Sequence, residues 1–128
     1  MLEVLMTFTP GLALASIGVV HCLVGLAVGL EPLQEIVADG VFAAVNDDQP
    51  WRMAIFWFEQ FGILLLIIGA QWHWMDRHGG APRWVGAAVL AMCATGIVCM
   101  PASGFWLAVP VGIWGLVRGA PSQSAAPG

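Results

Sequence analysis

Long apolar segments alternate with short polar segments along this chain. Four segments are almost wholly apolar: residues 11–30, 51–74, 84–100 and 105–117. About 20 apolar residues of α-helix are needed to cross the roughly 30 Å core of a bilayer. The pattern therefore predicts an all-α integral membrane protein whose four spans pack as a four-helix bundle. The fourth segment is the shortest, and Pro110 interrupts it.

The second apolar segment is central to this interpretation. Residues 53–72 contain a single ionisable side chain, that of Glu59, and Trp51 and Trp74 flank the segment. Tryptophans are enriched at the two headgroup regions of a bilayer. A charge inside the hydrocarbon region is costly and usually functional, so Glu59 is the first functional candidate.

The longest polar stretch, residues 31–50, separates the first two spans. Its apolar residues follow helical spacing, Glu35 and Asp39 lie on the other side, and Pro32 suits the first turn of a helix. We predict a short amphipathic helix that lies in the membrane interface and ends near residues 46–48.

The remaining segments complete the domain organisation. Residues 1–10 are a short lead-in, residues 11–118 form the membrane domain, and residues 119–128 are a Pro-, Ser- and Ala-rich tail with too little apolar surface to fold. The first span lacks a preceding basic region and a cleavage site followed by a soluble domain, so we expect a retained span.

Charge predicts the orientation. Arg77, Arg83 and Arg118 lie on the same side of the predicted spans as both termini, whereas Arg52 lies on the other side. Cytoplasmic loops carry an excess of positive charge. We therefore expect both termini in the cytoplasm and the protein in a bacterial inner membrane.

Composition agrees with a lipid environment. The 128 residues are 59% hydrophobic and only 9% charged, whereas soluble domains contain about 25% charged residues. The net charge is −4 and lysine is absent, which excludes nucleic acid as an expected partner.

Glycines mark the predicted packing faces of the first two spans. Gly18 and Gly25 are seven residues apart in the first span, as are Gly62 and Gly69 in the second. Residues seven apart stay on one helix face, and small residues let membrane helices approach closely. We predict that these four glycines lie at helix–helix contacts.

His21 and Glu59 lie on these glycine-bearing faces. At 1.5 Å per residue, both lie about 12–14 Å below the outer surface. Neighbouring antiparallel helices would therefore form a buried His–Glu pair that moves a proton, steadies a cation or binds a polar ligand group. A structural pair that only fixes helix register is the alternative.

Other residues at similar depths predict an amphipathic pocket that opens outward. Phe58 and Phe105 are expected to line it together with the candidate ligand-binding residues Trp57, Gln60, Thr95, Ser103 and Trp106. The alternative is that the aromatic residues belong to the membrane belt or the core, and that Gln60 forms only an interhelical hydrogen bond.

No spacing of His, Cys, Asp or Glu predicts a metal site, and no cofactor motif occurs. Cys22, Cys93 and Cys99 fall inside the predicted spans, where we interpret them as small apolar residues.

Several short motifs resemble an uncharacterised family of small bacterial four-span membrane proteins. They lie within about residues 11–117 and comprise Gly18-Val-Val-His21 with Gly25, Asp39-Gly40, Phe56-Trp57-Phe58 with Phe61-Gly62, Pro82-x-Trp84, and Pro101-x-Ser103-Gly104-Phe105-Trp106 with Pro110. The chain is also similar, more distantly, to the DoxX-like proteins. The resemblance implies the fold and the membrane location, and it implies no activity.

Three functions are compatible with this pattern. The favoured one is binding of an apolar small molecule, a lipid or a membrane partner near His21 and Glu59. The second is acid–base catalysis by these two residues on a lipophilic substrate. The third is proton-coupled export by a dimer, against which the arginine bias argues. The expected partners are the lipid bilayer, a lipophilic small molecule and, in a homo-oligomer, a second copy of the chain.

Overall fold

The computed structural model describes residues 8–120, and its regular structure is helical. Five α-helices follow one another: α1 (Pro10–Val28), α2 (Leu30–Ala38), α3 (Pro50–Arg77), α4 (Arg83–Cys99) and α5 (Val109–Arg118), with a 3₁₀ helix at Gly104–Leu107. No strand occurs among the described residues, so the all-α prediction is confirmed. Most of the predicted lead-in and nearly all of the predicted tail lie outside these residues.

Two helices are long and apolar enough to cross a membrane, namely α1 with 19 residues and α3 with 28 residues. The other two apolar segments form shorter helices. Helix α4 has 17 residues, and the predicted segment 105–117 is divided between the 3₁₀ helix and the ten-residue α5. Pro110 lies in the first turn of α5, where its missing N–H group is not needed.

Local signals explain where the long helices begin. The side chain of Thr9 caps α1 by accepting a hydrogen bond from the backbone N–H of Leu12 at 3.2 Å, and Pro10 opens the first turn. Pro50 opens α3 in the same way. Both starts lie within one residue of the apolar segments in the sequence.

The helix predicted between the first two apolar segments is present, but it ends earlier than predicted. Helix α2 stops at Ala38, and Gly40 follows with φ +87°, a left-handed conformation that glycine adopts readily. The guanidinium group of Arg52, at the start of α3, donates hydrogen bonds to the carboxylates of Glu35 at 2.8 Å and Asp39 at 2.5 Å. These ion pairs attach α2 to α3.

The helices form two closely packed pairs. Helix α1 packs along α3, and α4 packs against α5. Trp72 of α3, which is only 1% exposed, joins the pairs because its indole ring occupies the space beside Gly115 of α5. The shared core also includes Leu14, Leu65, Val85, Val89 and Cys93.

The two ends of the molecule differ in what they contain. At one end, Thr9 Oγ1 lies 2.8 Å from His73 Nδ1, and Arg83 Nε donates to the carbonyl oxygen of Gly119 at 3.0 Å. The start of α1, the end of α3, the start of α4 and the end of α5 therefore meet there, at what we term the basic end. The opposite end carries α2, the loop of residues 39–49 and the segment of residues 100–108.

Candidate functional site

The contact between α1 and α3 is formed by small residues. Four glycines lie in it: Gly18, Gly25, Gly62 and Gly69. A Cβ atom added to Gly18 would lie 2.9 Å from the backbone nitrogen of Leu66, and one added to Gly69 would overlap the backbone of Ala15. The two helices therefore touch backbone to backbone, as the glycine spacing in the sequence leads one to expect.

The carboxyl group of Glu59 occupies a gap in this contact. A Cβ atom on Gly25 would overlap Glu59 Oε1, and the Cys22 thiol lies close to the same carboxyl group. Oε1 is buried and has no hydrogen-bond partner among the described residues. The absence of a side chain at Gly25 therefore makes room for this carboxyl group between the two helices.

His21 is directed to a different part of α3. Its Nε2 lies 3.1 Å from the backbone carbonyl oxygen of Phe58, and its ring stacks on the Phe58 ring with centroids 3.8 Å apart. A carbonyl oxygen only accepts hydrogen bonds, so Nε2 carries the proton. The ring edge of Phe61 completes the aromatic surroundings at a centroid distance of 5.5 Å.

His21 and Glu59 were expected within hydrogen-bond reach or one water apart; the direct pair is absent among the described residues, and the water-bridged pair stays a prediction. No hydrogen bond or ion pair joins the two side chains among residues 8–120. His21 reaches the Phe58 carbonyl, whereas Glu59 extends toward Gly25, one helical turn further along α1. Equal depth placed the two residues at the same level, but it left the direction of each side chain undetermined.

His21 lines a cleft of about 480 Å³ between the two helix pairs. Aliphatic and aromatic side chains from α1, α3, α4 and the 100–108 segment form most of its wall, among them Val20, Val24 and Phe105. Among the described residues that line it, only His21 and Ser103 have a polar side chain. Ligand sites typically measure roughly 300–1,000 Å³ and combine apolar walls with a few polar groups, so the cleft has the size and composition of such a site.

Ser103 lines this cleft, as do Phe58 and Phe105, which were also expected to line the pocket. The Oγ of Ser103 is buried and has no hydrogen-bond partner within the described part of the chain. Trp57 instead lines a separate, more polar depression of about 410 Å³ together with Asn46 and Asp47 of the 39–49 loop.

The other three predicted ligand-binding residues lie away from the cleft. Gln60 is exposed, and Thr95 donates its hydroxyl to the backbone oxygen of Ala91 at 3.0 Å. The indole N–H of Trp106 donates to the backbone oxygen of Pro101 at 2.9 Å. These residues were predicted from their depth in the membrane. Depth does not specify the direction of a side chain around the helix axis, and these side chains do not line the cleft.

Sequence reasoning missed most of the apolar wall of the cleft. Ile17, Val20 and Val24 of α1 line it beside His21, and their spacing of three or four residues places them on one helix face. The same spacing relates Phe58, Phe61 and Leu65 on α3. This periodicity around His21 was the available signal.

The other polar side chains of the described part do not form a metal-binding arrangement. Within residues 8–120, no group of three or more His, Cys, Asp or Glu side chains is arranged to hold a metal ion. The Thr9–His73 hydrogen bond and the unpaired indole N–H of Trp72 lie toward the basic end.

Comparison with known proteins gives one assignment. A family described as "Family of unknown function (DUF6463)" matches residues 7–122. No curated protein and no solved structure shows significant similarity to the chain, and the distant similarity to DoxX-like proteins stays a prediction. Since the match covers most of the 128 residues, this chain belongs to the DUF6463 family of unknown function.

Proposed function

We propose that this protein is a multi-pass membrane protein that binds an apolar small molecule in the cleft beside His21. The cleft itself is the observation that carries the proposal, because its volume of about 480 Å³ suits a small ligand and its wall is almost entirely apolar. Burial of an apolar ligand against such a wall is favourable by about 25 cal/mol per Å² removed from water.

The surfaces of α1 and α3 support a bilayer as the surroundings. In the most apolar 18-residue window of each helix, only 22% of the residues are buried, whereas the core helix of a soluble protein is mostly buried. Large side chains such as Leu23, Ile67 and Ile68 point outward. Continuous apolar surface of this kind marks contact with a membrane or with another protein.

The two shorter apolar segments fit the same surroundings as the third and fourth spans. At 1.5 Å per residue, the 17 residues of α4 extend about 25 Å, a little less than the roughly 30 Å hydrocarbon core. Local thinning of the bilayer accommodates such a difference. Four crossings would also explain why the ends of the four apolar segments form two groups, one at each end of the bundle.

The distribution of charge supports the orientation. Arg77, Arg83 and Arg118 belong to the basic end, whereas Arg52 lies at the opposite end beside the acidic side chains of α2. We place the basic end, and with it both termini, in the cytoplasm of a bacterial cell whose inner membrane holds the protein. A reporter enzyme that is active only outside the cytoplasm should be inactive when it is inserted at Gly79. Activity of this reporter would overturn the orientation.

The cleft is accessible from the side. Val20 is 52% exposed and Val24 is 47% exposed, and Leu107 across the cleft is 60% exposed. In the proposed orientation these three side chains face the acyl chains of the bilayer. An apolar ligand would therefore pass between membrane and cleft without crossing water.

Catalysis that uses His21 and Glu59 on one substrate is less well supported. Only His21 lines the cleft, and the Glu59 carboxyl group lies between α1 and α3 beside Gly25. A binding role needs only the cleft and its two polar groups.

The matched variants Val20→Phe and Val19→Phe test the proposal. Both valines are about half exposed, at 52% and 46%, and they are adjacent on α1, but only Val20 lines the cleft. Each protein is purified in detergent, extracted with organic solvent and analysed by mass spectrometry.

We expect wild type and Val19→Phe to retain the same apolar molecule, and Val20→Phe to lose most of it. Equal retention by Val20→Phe would refute binding in the cleft. So would a wild-type extract identical to that of an unrelated membrane protein prepared in parallel.

A further inference from the structure

We infer that the ligand of the cleft is an uncharged apolar molecule that carries a hydroxyl group, which donates a hydrogen bond to Nδ1 of His21. This inference rests on the proposed function and specifies the chemical class of the ligand. A second contact, from the hydroxyl of Ser103 to an oxygen of the ligand, completes the recognition.

The hydrogen bond to Phe58 determines which nitrogen of His21 is available. Nε2 donates to the Phe58 carbonyl oxygen at 3.1 Å. No carboxylate forms an ion pair with the ring within the described residues, and in the proposed bilayer a charged imidazolium without a counter-ion is costly. A neutral imidazole has a single N–H group, and that group is already committed, so Nδ1 is an acceptor.

The orientation of the ring directs Nδ1 away from α3. A Cβ atom added to Gly62 would lie 3.0 Å from His21 Cδ2, so the edge formed by Cδ2 and Nε2 faces the α3 backbone. Nδ1 lies across the ring from that edge, and no hydrogen bond to it occurs in the described part of the chain. Because His21 also lines the cleft, an acceptor atom remains for a ligand that brings a donor.

Ser103 adds an unsatisfied group on the facing wall. Ser103 is one of the residues that line the cleft. Its Oγ is buried and has no hydrogen-bond partner among residues 8–120. A buried hydroxyl without a hydrogen bond is costly by about 1–3 kcal/mol, so a ligand oxygen that accepts from it would be favoured.

The composition of the wall excludes charged headgroups. The side chains that line the cleft include no Lys or Arg among the described residues. A carboxylate or a phosphate would therefore be buried without a cation. This argues for a lipophilic alcohol and against a fatty acid or a phospholipid.

The test uses four probes with similar chains: hexadecanol, its methyl ether, hexadecane and palmitic acid. The methyl ether accepts hydrogen bonds but cannot donate one. The full-length protein in detergent is incubated with an equimolar mixture of the probes, and bound species are counted by native mass spectrometry. The variants are His21→Phe, which keeps an aromatic ring against Phe58, and Ser103→Ala, with Val19→Phe as the matched control.

We expect wild type and Val19→Phe to prefer the alcohol over the methyl ether by about twofold to tenfold, the range of one net hydrogen bond. His21→Phe should reduce this preference to about one, and Ser103→Ala should reduce binding of alcohol and ether alike. If His21→Phe does not fold, the preference of wild type and the Ser103→Ala result still decide.

Each contrary outcome has a separate meaning. Equal binding of alcohol, ether and hydrocarbon, or a preference for the acid, would overturn the hydroxyl inference while leaving the proposed function intact. Failure of every probe to bind wild type, or equal binding of the probes to wild type and to Val20→Phe measured in the same way, would overturn both.

Discussion

Helix α1 contacts its neighbours in two contrasting ways. Toward α3 it presents Gly18 and Gly25, and the helices approach until backbone meets backbone. Toward the 100–108 segment it presents Val20 and Val24, and a cleft of about 480 Å³ remains. Both surfaces are apolar, so hydrophobicity alone does not decide which one closes. The size of the side chains decides, because only the glycine surface lets helix axes come close.

Two adjacent residues mark the border between these surfaces. Cys22 faces the closed contact, where its thiol lies close to the Glu59 carboxyl group, whereas His21 lines the cleft. The closed contact thus holds the carboxyl group that the sequence singled out, and the open one holds the imidazole. Under the proposed function, this separation leaves packing to one surface and ligand recognition to the other.

The largest expected effect comes from adding a side chain where α1 and α3 already touch. In Gly69→Ala, the new Cβ would overlap the backbone of Ala15, which cannot rotate away as a side chain does. Alanine is the better helix former by about 1 kcal/mol, but forced overpacking typically costs about 1–3 kcal/mol or more. We expect a net loss of stability, measured by thermal unfolding in detergent.

Gly104→Ala is the matched control, since a Cβ atom there meets no atom within 4 Å. It should leave the unfolding temperature nearly unchanged. An equal loss in both variants would mean that the two glycines act through backbone conformation and not through the helix contact.

A smaller effect is expected where the closed contact holds Glu59. Gly25→Ala should destabilise the protein by about 1–3 kcal/mol, because the added Cβ would overlap Oε1 of Glu59. In a Glu59→Ala background the same change should cost less, since the carboxyl group that the new Cβ would overlap is then absent. A double-mutant cycle measures the coupling, which is typically at least about 0.5 kcal/mol for contacting residues. Additive effects would show that Glu59 moves away from Gly25 at no cost.

The sequence predicted the closed contact better than the cleft, and the reason is physical. Glycines seven residues apart indicate a close approach directly, and the structure places all four of them between α1 and α3. The cleft depends on helix rotation and on the path of residues 100–108, neither of which apolar periodicity specifies. Trp106 illustrates this, because its indole binds the Pro101 carbonyl oxygen and not the cleft. Likewise, the division of the fourth segment at Ala108 depends on tertiary packing.

Helix α2 provides a comparison that should leave both surfaces intact. Arg52→Ala removes both ion pairs, to Glu35 and to Asp39, and because both carboxylates are about half exposed the pairs contribute little to global stability. We expect faster amide hydrogen exchange in α2, with unchanged exchange in the middle of α1 and α3. Arg77→Ala is the control at the basic end. Faster exchange throughout α1 would show that these ion pairs also stabilise the contact between α1 and α3.

The smallest effect, and the one that separates the two surfaces most sharply, is expected from Ser103→Ala. Its hydroxyl is buried without a partner, so removing it from the empty cleft should raise the stability by up to about 1 kcal/mol. With hexadecanol present, wild type gains stability in proportion to the logarithm of ligand concentration over Kd. The variant should gain less, because it has lost one ligand contact, and the difference between the two proteins should shrink or change sign. Thermal unfolding of both proteins with and without the alcohol measures this. A constant difference at every alcohol concentration would show that Ser103 does not contact the ligand, and the recognition would then rest on His21 alone.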